Sequence, residues 1–209
     1  MNVRMLALAS MVLALGLTSC GNDESEEEVN NTQELCFYSY DDNSTELGFT
    51  SYKTTAKVPV KGTFNVINIK GEESDNQMDL IKSLKFEIET ASIETNDEGR
   101  NAKIVKFFFG TFGCDKITGS VANLDDDGSA EINISMGGMN LPVSGKYKLD
   151  EAGKFEFTSN IDVADWNAQT GIDALNLECK DLHTGEDGVS KLWSEVDLYF
   201  STILASDCD

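Results

Sequence analysis

The chain is poor in basic residues, in proline and in histidine. Its 209 residues include 16 lysines and arginines against 37 aspartates and glutamates, which gives a formal net charge of −21. Such a charge argues against nucleic acids and anionic membrane faces as partners. Proline occurs only at positions 59 and 142, and no low-complexity linker interrupts residues 35–209. These residues are therefore predicted to form one domain.

Sequence signatures of catalysis and metal binding are also missing. The chain has no G-x-S-x-G elbow, no H-E-x-x-H pair and no phosphate-binding loop. Asp125, Asp126 and Asp127 precede Gly128 without the alternating ligands and closing glutamate of an EF-hand, which favours a turn. His183, the single histidine, follows a predicted helix, where a hydrogen bond at the helix end is its simplest role. We expect no enzymatic activity, no cofactor and no metal site.

A long apolar run occurs at the amino terminus. Arg4 lies in a short basic start, residues 5–17 are almost wholly apolar, and Leu17-Thr18-Ser19-Cys20 follows. This arrangement is typical of a secretory signal peptide, and the run is too short to span a membrane. Residues 1–19 are therefore predicted to be a signal peptide.

The position of Cys20 resembles the lipobox of bacterial lipoproteins. The resemblance implies that the Cys20 thiol carries a diacylglycerol, that the chain is cut before it and that the new amino terminus is often acylated too. Two or three acyl chains hold a protein durably on a bilayer. An ordinary signal peptide followed by a chance cysteine is the alternative.

An acidic segment follows the cysteine. Residues 21–34 contain six acids, no base and one large apolar residue, so residues 20–34 are predicted to form a lipidated, disordered tether. Acids in this position resemble the surface-export signal of Bacteroidetes lipoproteins. The expected location is the outer membrane, on its periplasmic face or at the cell surface. A solvated spacer is the simpler interpretation of the same acids.

Four cysteines remain once Cys20 is set aside. An even number in an exported chain suggests two disulfides, for which three connectivities exist. Cys36 lies in the first predicted strand and Cys208 just past the last, so a closed sheet would make them neighbours. This favours Cys36–Cys208 together with Cys114–Cys179. One disulfide and two free thiols is the alternative.

Apolar and polar residues alternate with a period of two along most of the domain. This alternation, clearest at residues 84–90, is typical of strands with one wetted face. Turn sequences at 125–128 and 151–153 predict tight hairpins. About eight to nine antiparallel strands result, which either stack as a sandwich or close. Short polar hairpins favour a mainly β, closed eight-stranded barrel, because closure removes exposed edges.

Two segments have helical spacing instead. Residues 99–109 end in three phenylalanines, with Asn96 or Asp97 available as a cap. Residues 165–182 are predicted to form a second helix, and core packing is the expected role of both apolar faces. The stripe on this second helix consists of Ala168, Ile172, Leu175, Cys179 and Leu182.

Short motifs follow one another in a fixed order over about residues 47–204. They are Val60-Lys61-Gly62-Thr63-Phe64, the strand at 86–96, Arg100-Asn101-Ala102-Lys103 before Phe107-Phe108, Ile117-Thr118-Gly119, and the segments 179–185 and 192–196. Together they resemble the YceI-like family, and the last two segments resemble its lipoprotein-like branch. The sequence departs from the family pattern at Asn101, at 136–141 and at 163–167, so polar ligand contacts of other members are not transferred.

The resemblance implies a lipocalin-like antiparallel barrel whose interior holds a long apolar chain, such as a polyisoprenoid or a related amphiphile. Ten buried methylenes are worth roughly 8 kcal/mol gross, much of which is lost in immobilising the chain. A dry packed core is the alternative use of the inward face. The residues predicted to line the ligand are Phe86, Ile88, Ile132, Ile134, Met136, Val143, Phe155, Phe157, Val196 and Leu198.

The sequence therefore favours an exported, lipid-anchored protein that binds an apolar or amphiphilic small molecule without catalysis. Its main alternative is a structural or interaction module, a filled barrel that contacts another envelope protein. The two differ in interior volume, because a continuous apolar cavity favours ligand binding and a packed core favours the module.

Overall fold

The computed structural model describes residues 36–208, and the predicted signal peptide, Cys20 and the tether lie outside the described residues. Its strands are β1 (Cys36–Ser39), β2 (Glu46–Lys53), β3 (Val58–Phe64), β4 (Ile67–Lys70), β5 (Lys85–Glu89), β6 (Ile93–Glu94), β7 (Lys116–Leu124), β8 (Ser129–Met136), β9 (Met139–Leu149), β10 (Lys154–Asp162), β11 (Leu192–Ile203) and β12 (Ala205–Cys208). Its helices are α1 (Gln77–Ser83), α2 (Glu98–Lys103), α3 (Gly110–Phe112), α4 (Gln169–Glu178) and α5 (Lys180–His183).

Ten strands form one curled antiparallel sheet, in the order β4-β5-β7-β8-β9-β10-β11-β2-β3-β6. Only Asn65 and Val66 separate β3 from β4, and a short turn at 90–92 separates β5 from β6. Because β3 pairs with β6 and β4 pairs with β5, the two ends of this order join each other. Eight continuous strands therefore surround one interior, as the mainly β barrel prediction requires.

A two-stranded ribbon of β1 and β12 stands apart from the barrel. Cys36 pairs with Cys208 in its register, and a disulfide joins them. The predicted Cys114–Cys179 disulfide is not formed, since both residues are buried free thiols. Cys114 Sγ instead donates to the carbonyl oxygen of Lys116, 3.3 Å away. Cys114 lies just before β7 and Cys179 at the end of α4. Burial raises the pKa of both thiols.

The first predicted helix is present but irregular. Asp97 caps α2 by accepting a hydrogen bond from the Arg100 backbone nitrogen at 2.9 Å. The helical segment continues through a π-helical turn at 104–109 and through α3. It ends at Gly113, whose φ of 72° is left-handed.

The second predicted helix begins as α4 and breaks at Cys179, so its apolar stripe is shorter than expected. Ala168, Ile172, Leu175 and Cys179 are buried, whereas Leu182 is 63% exposed because the break turns α5 away from the core. The short helix α1 was not predicted. Asn76 caps it, and its Leu80 and Ile81 are fully buried in the core beside β7.

None of the helices within residues 36–208 is long and apolar enough to cross a membrane. The core of the domain consists of two clusters of buried side chains, contributed by the barrel strands and by the helical segments. One contains Trp166 and Ile172 and lies at the end covered by α2–α4, and the other contains Leu80 and Phe155 and lies at the α1 end. The barrel thus has two distinct ends, each closed by helical residues.

Glycines on the strands let phenylalanine rings lie against the barrel wall. Phe49 is paired with Gly62 and Phe86 with Gly119, and a Cβ on either glycine would lie within 2.4 Å of the opposite ring. A Cβ on Gly145 would meet the ring of Phe157 in the same way, at 2.3 Å. Because the rings fill the space left by the missing side chains, they take up less of the barrel interior.

Replacing Gly119 with alanine is expected to destabilise the barrel by about 3 kcal/mol, as strong overpacking does. The new Cβ would lie 2.3 Å from the Phe86 ring and 2.4 Å from the Asn133 carbonyl oxygen, so both the ring and the neighbouring backbone would have to shift. Urea denaturation measures the loss. Gly48→Ala is the matched control, because the nearest atom to its Cβ is 3.8 Å away. Equal stabilities of the two variants would contradict this account of Gly119.

Candidate functional site

The barrel interior contains two adjoining cavities. The first, of about 140 Å³, lies towards α1 and is bounded by Leu84, Val121 and Phe155 among others. The second, of about 130 Å³, lies between the barrel and the helical segments and reaches Phe108, Leu175 and Trp193. Six residues line both and form a waist between them: Phe49, Phe64, Ile117, Met136, Ile161 and Leu198.

The walls of the first cavity are almost entirely apolar. Apart from Gly48 and Tyr199, only leucine, isoleucine, valine, phenylalanine and methionine line it. Such a space offers water no hydrogen-bond partners, and dry apolar cavities of about 150 Å³ take up benzene. Each cavity therefore has room for a hydrocarbon group of about six carbons.

Nine of the ten residues predicted to line the ligand border these cavities. Val143 does not border either cavity; it is buried on β9, where it pairs with Ile132 of β8. Contact of the other nine with a ligand stays a prediction. Those bordering the first cavity are Phe86, Ile88, Ile132, Ile134, Met136, Phe155, Phe157 and Leu198, and Val196 borders the second.

Much of the waist was not predicted from the sequence. Phe49, Phe64, Ile117 and Ile161 have inward positions on their strands, and the alternation of apolar residues was the signal for them. The pattern identifies an inward face but does not tell which inward side chains border empty space. Phe108 and Phe109, predicted as core, also border the second cavity.

The helical end of the second cavity depends on a close approach between two backbones. A Cβ on Gly171 of α4 would lie only 2.6 Å from the carbonyl oxygen of Phe108. Glycine within a helix costs about 1 kcal/mol relative to alanine, and here it lets α4 pack directly on the π-helical turn. The rings of Phe108 and Phe112, 5.1 Å apart, are thereby held over the barrel end.

His183 was predicted to follow the second helix in a loop, but it is the last residue of α5 and is buried. Its Nδ1 is 3.0 Å from Asn176 Oδ1, which also accepts a hydrogen bond from Ser190. Burial first, and then the charges of Lys53 and Lys103, lower the pKa of His183 to about 4. The imidazole is therefore neutral at pH 7 and joins α5 to α4 through Asn176.

Stability is expected to fall by about 3 kcal/mol between pH 6.5 and pH 4 because of His183 alone. The unfolded state takes up the proton near pH 6.5, whereas the folded state resists it until its pKa of about 4. Urea denaturation at several pH values measures this loss. His183→Gln is the matched variant, since a neutral amide cannot titrate, and its stability should fall less steeply. Parallel curves for the two proteins would refute the assignment.

Metal-binding clusters are absent from the described part of the chain, where no three His, Cys, Asp or Glu side chains are suitably grouped. The acidic run before Gly128 forms the predicted turn. The Gly128 nitrogen donates to the Asp125 carbonyl at 3.0 Å, and the Ser129 nitrogen donates to Asp127 Oδ1 at 2.8 Å. The Asp127 carboxylate thus stabilises the turn of the β7–β8 hairpin.

Residues 38–202 match the sequence pattern of the YceI-like domain. The chain belongs to this family. None of the curated protein sequences compared with the chain matches it. The match spans nearly all of the YceI-like barrel described above, including both cavities.

Solved structures share the fold of this YceI-like domain. A polyisoprenoid binding domain from Saccharophagus degradans, implicated in plant cell wall breakdown, superposes with a TM-score of 0.54 at 15% identity, covering 81% of this chain and 99% of that one. BcnA of Burkholderia cenocepacia gives a TM-score of 0.53 at 17% identity, covering 79% and 99%. At these identities the similarity establishes a common fold.

Proposed function

We propose that the protein is an exported, lipid-anchored carrier that binds a polyisoprenoid-like chain inside its barrel and does not transform it. The observation that carries this proposal is the pair of adjoining apolar cavities along the barrel. Family membership supports it, because a structural relative is a polyisoprenoid binding domain. The signal-like residues 1–19 and Cys20 support export and anchoring.

The cavities suit a branched hydrocarbon in size. Two spaces of about six carbons each correspond to roughly two isoprene units, and about ten buried carbons are worth roughly 8 kcal/mol before the cost of immobilisation. A dissociation constant of 1 μM requires about 8.2 kcal/mol net, so this gain alone accounts for binding weaker than micromolar.

A longer chain requires the waist to widen. Met136 is the waist residue best suited to this, because an unbranched thioether side chain repacks readily. If the waist does not widen, a long chain cannot fit. The alternative function, a filled barrel that contacts another envelope protein, is then the better explanation.

Native mass spectrometry of the full-length protein, purified from its own envelope in mild detergent, tests the proposal. We expect an added mass that organic solvent releases and that is identified as an isoprenoid or acyl compound. Denaturing spectra of the same sample give the mass of covalently attached acyl groups, and Cys20→Ser is the control for them. A bare protein that takes up no added prenol or quinone would instead support the interaction module.

A further inference from the structure

A groove of about 690 Å³, here called the outer groove, crosses four neighbouring strands, β10, β11, β2 and β3. Successive residues of a strand point to opposite faces, and Phe49 and Leu198 point into the interior cavities. Their neighbours Thr50 and Asp197, which line the groove, therefore point outward. Four strands spaced about 4.8 Å apart make the groove about 14 Å long, and it is separate from both cavities.

Two rows of outward residues form the walls of the outer groove. One wall consists of four residues that the register aligns across the strands: Asn160, Asp197, Thr50 and Lys61. The other wall lies two residues away along each strand and consists of Thr158, Tyr199 and Gly48. The strand backbones between the two rows form the floor.

The floor of the outer groove offers no free strand edge at its centre. The two central strands, β11 and β2, pair with each other and with β10 and β3 on their other sides. An extended peptide therefore finds no unpaired backbone groups there to which it could add as a further strand. Recognition of a ligand in this groove has to come from the side chains of the walls.

Asp197, in the middle of the first wall, is held by two neutral donors. The Tyr52 hydroxyl donates to Oδ2, and Asn160 Nδ2 donates to Oδ1 at 2.8 Å. These hydrogen bonds, that from Tyr52 first, lower the pKa of Asp197, so its carboxylate is ionised at pH 7. Within residues 36–208 it forms no ion pair. A carboxylate accepts more than two hydrogen bonds, so Asp197 has acceptor sites fixed in position for further neutral donors.

The second wall combines an aromatic ring with an empty position. Tyr199, which is half-buried, pairs with Gly48 across the β11–β2 boundary. A Cβ on Gly48 would have only the Gly62 carbonyl oxygen within 4 Å, at 3.8 Å, so the Tyr199 ring does not cover that position. The missing side chain thus leaves open space beside the ring, where an apolar face of a ligand can pack.

We propose that the outer groove binds a neutral oligosaccharide. A sugar ring matches the two walls, because its hydroxyl groups donate to Asp197 and exchange hydrogen bonds with Thr50, while its C–H face packs on Tyr199. Polyanionic chains are disfavoured by the Asp197 carboxylate and by the net charge of −21. A purely apolar ligand would leave the polar wall without hydrogen bonds. This site lies outside the barrel interior and goes beyond the proposed function.

Titration calorimetry of the full-length protein with cellotetraose, maltotetraose and mannotetraose tests the proposal. The detergent should have no sugar headgroup, because such a headgroup would compete for the groove. We expect at least one tetrasaccharide to bind with a dissociation constant of about 1 mM or lower, and added salt to leave this affinity unchanged because the ligand is neutral. If none of the three binds, the proposal is overturned and the proposed function is unaffected.

Geraniol, a ten-carbon isoprenoid alcohol, distinguishes the outer groove from the barrel interior. The cavities and the groove lie on opposite sides of the same strands, so a saturating tetrasaccharide should leave the affinity for geraniol unchanged. Competition between the two ligands would place the sugar inside the barrel and would overturn the assignment to the groove.

Two variants locate the sugar in the groove. Tyr199→Ala removes the aromatic wall and Asp197→Asn removes the charged acceptor, and each should weaken binding of the tetrasaccharide at least tenfold with unchanged affinity for geraniol. Asp197→Asn keeps the shape of the side chain, so it decides the question if Tyr199→Ala fails to fold. Glu131→Gln, at an exposed carboxylate of β8 outside the groove, is the matched control and should bind normally. Unchanged affinity in Asp197→Asn would contradict the proposal.

Discussion

Replacing Ile117 with tryptophan is expected to lower the affinity for an apolar ligand at least a hundredfold while the protein stays folded. Ile117 is half-buried on β7 and lines both cavities, so a larger ring there obstructs the waist through which a chain must pass. Filling space that is already empty should cost no more than about 1–3 kcal/mol. Calorimetric titration with geraniol measures the affinity, and thermal unfolding measures the stability.

Thr118→Trp is the matched control for this variant. Thr118 is the next residue of the same strand and is also half-buried, but its side chain has the opposite, outward direction. Its tryptophan variant should bind geraniol as the unaltered protein does. If Ile117→Trp unfolds while Thr118→Trp does not, Ile117 belongs to a packed core, and the filled barrel becomes the better interpretation.

Removing the disulfide with Cys36→Ser and Cys208→Ser is expected to lower the free energy of unfolding by up to about 5 kcal/mol. The bond links residues that are 172 positions apart, so it encloses almost the whole domain in one loop and restricts the unfolded chain strongly. Guanidinium denaturation of the oxidised protein and of the double variant measures the difference. A loss below about 1 kcal/mol would show that β1 and β12 separate from the barrel before it unfolds.

Reductant provides the control for the disulfide prediction. It should destabilise the unaltered protein to the level of the double variant and leave the double variant unchanged. The two remaining thiols, Cys114 and Cys179, are buried and form no disulfide with each other, so reduction has no second target within residues 36–208. An effect of reductant on the double variant would contradict this assignment.

The barrel could be predicted because its evidence is local. Alternation with a period of two identifies strands and their inward faces, and hairpin turns fix antiparallel neighbours. The Cys36–Cys208 disulfide was predicted correctly but from a wrong premise, because β1 and β12 pair in a ribbon of their own and barrel closure does not make them neighbours. Helix α1 was not predicted because it has only seven residues, too few to show a helical period in the sequence.

The candidate site could be predicted only in part, because empty space depends on register. Val143 and Ile132 are both inward residues of neighbouring strands, yet Ile132 borders a cavity and Val143 does not. Likewise, the pairing of Phe86 with Gly119 joins segments about thirty residues apart and appears in no local pattern. Lys57 and Trp193 meet only through the pairing of β2 with β11, so their contact appears in no local pattern either.

The disulfide between the first and last strands makes the domain almost a covalent ring. The hairpin between β9 and β10 is exposed at Glu151 and Ala152 and offers a protease an accessible bond. A single cut there would release neither piece, because the fragment that begins with β1 carries Cys36 and the fragment that ends with β12 carries Cys208. A molecule cut once at this hairpin would still hold its eight strands around the same interior.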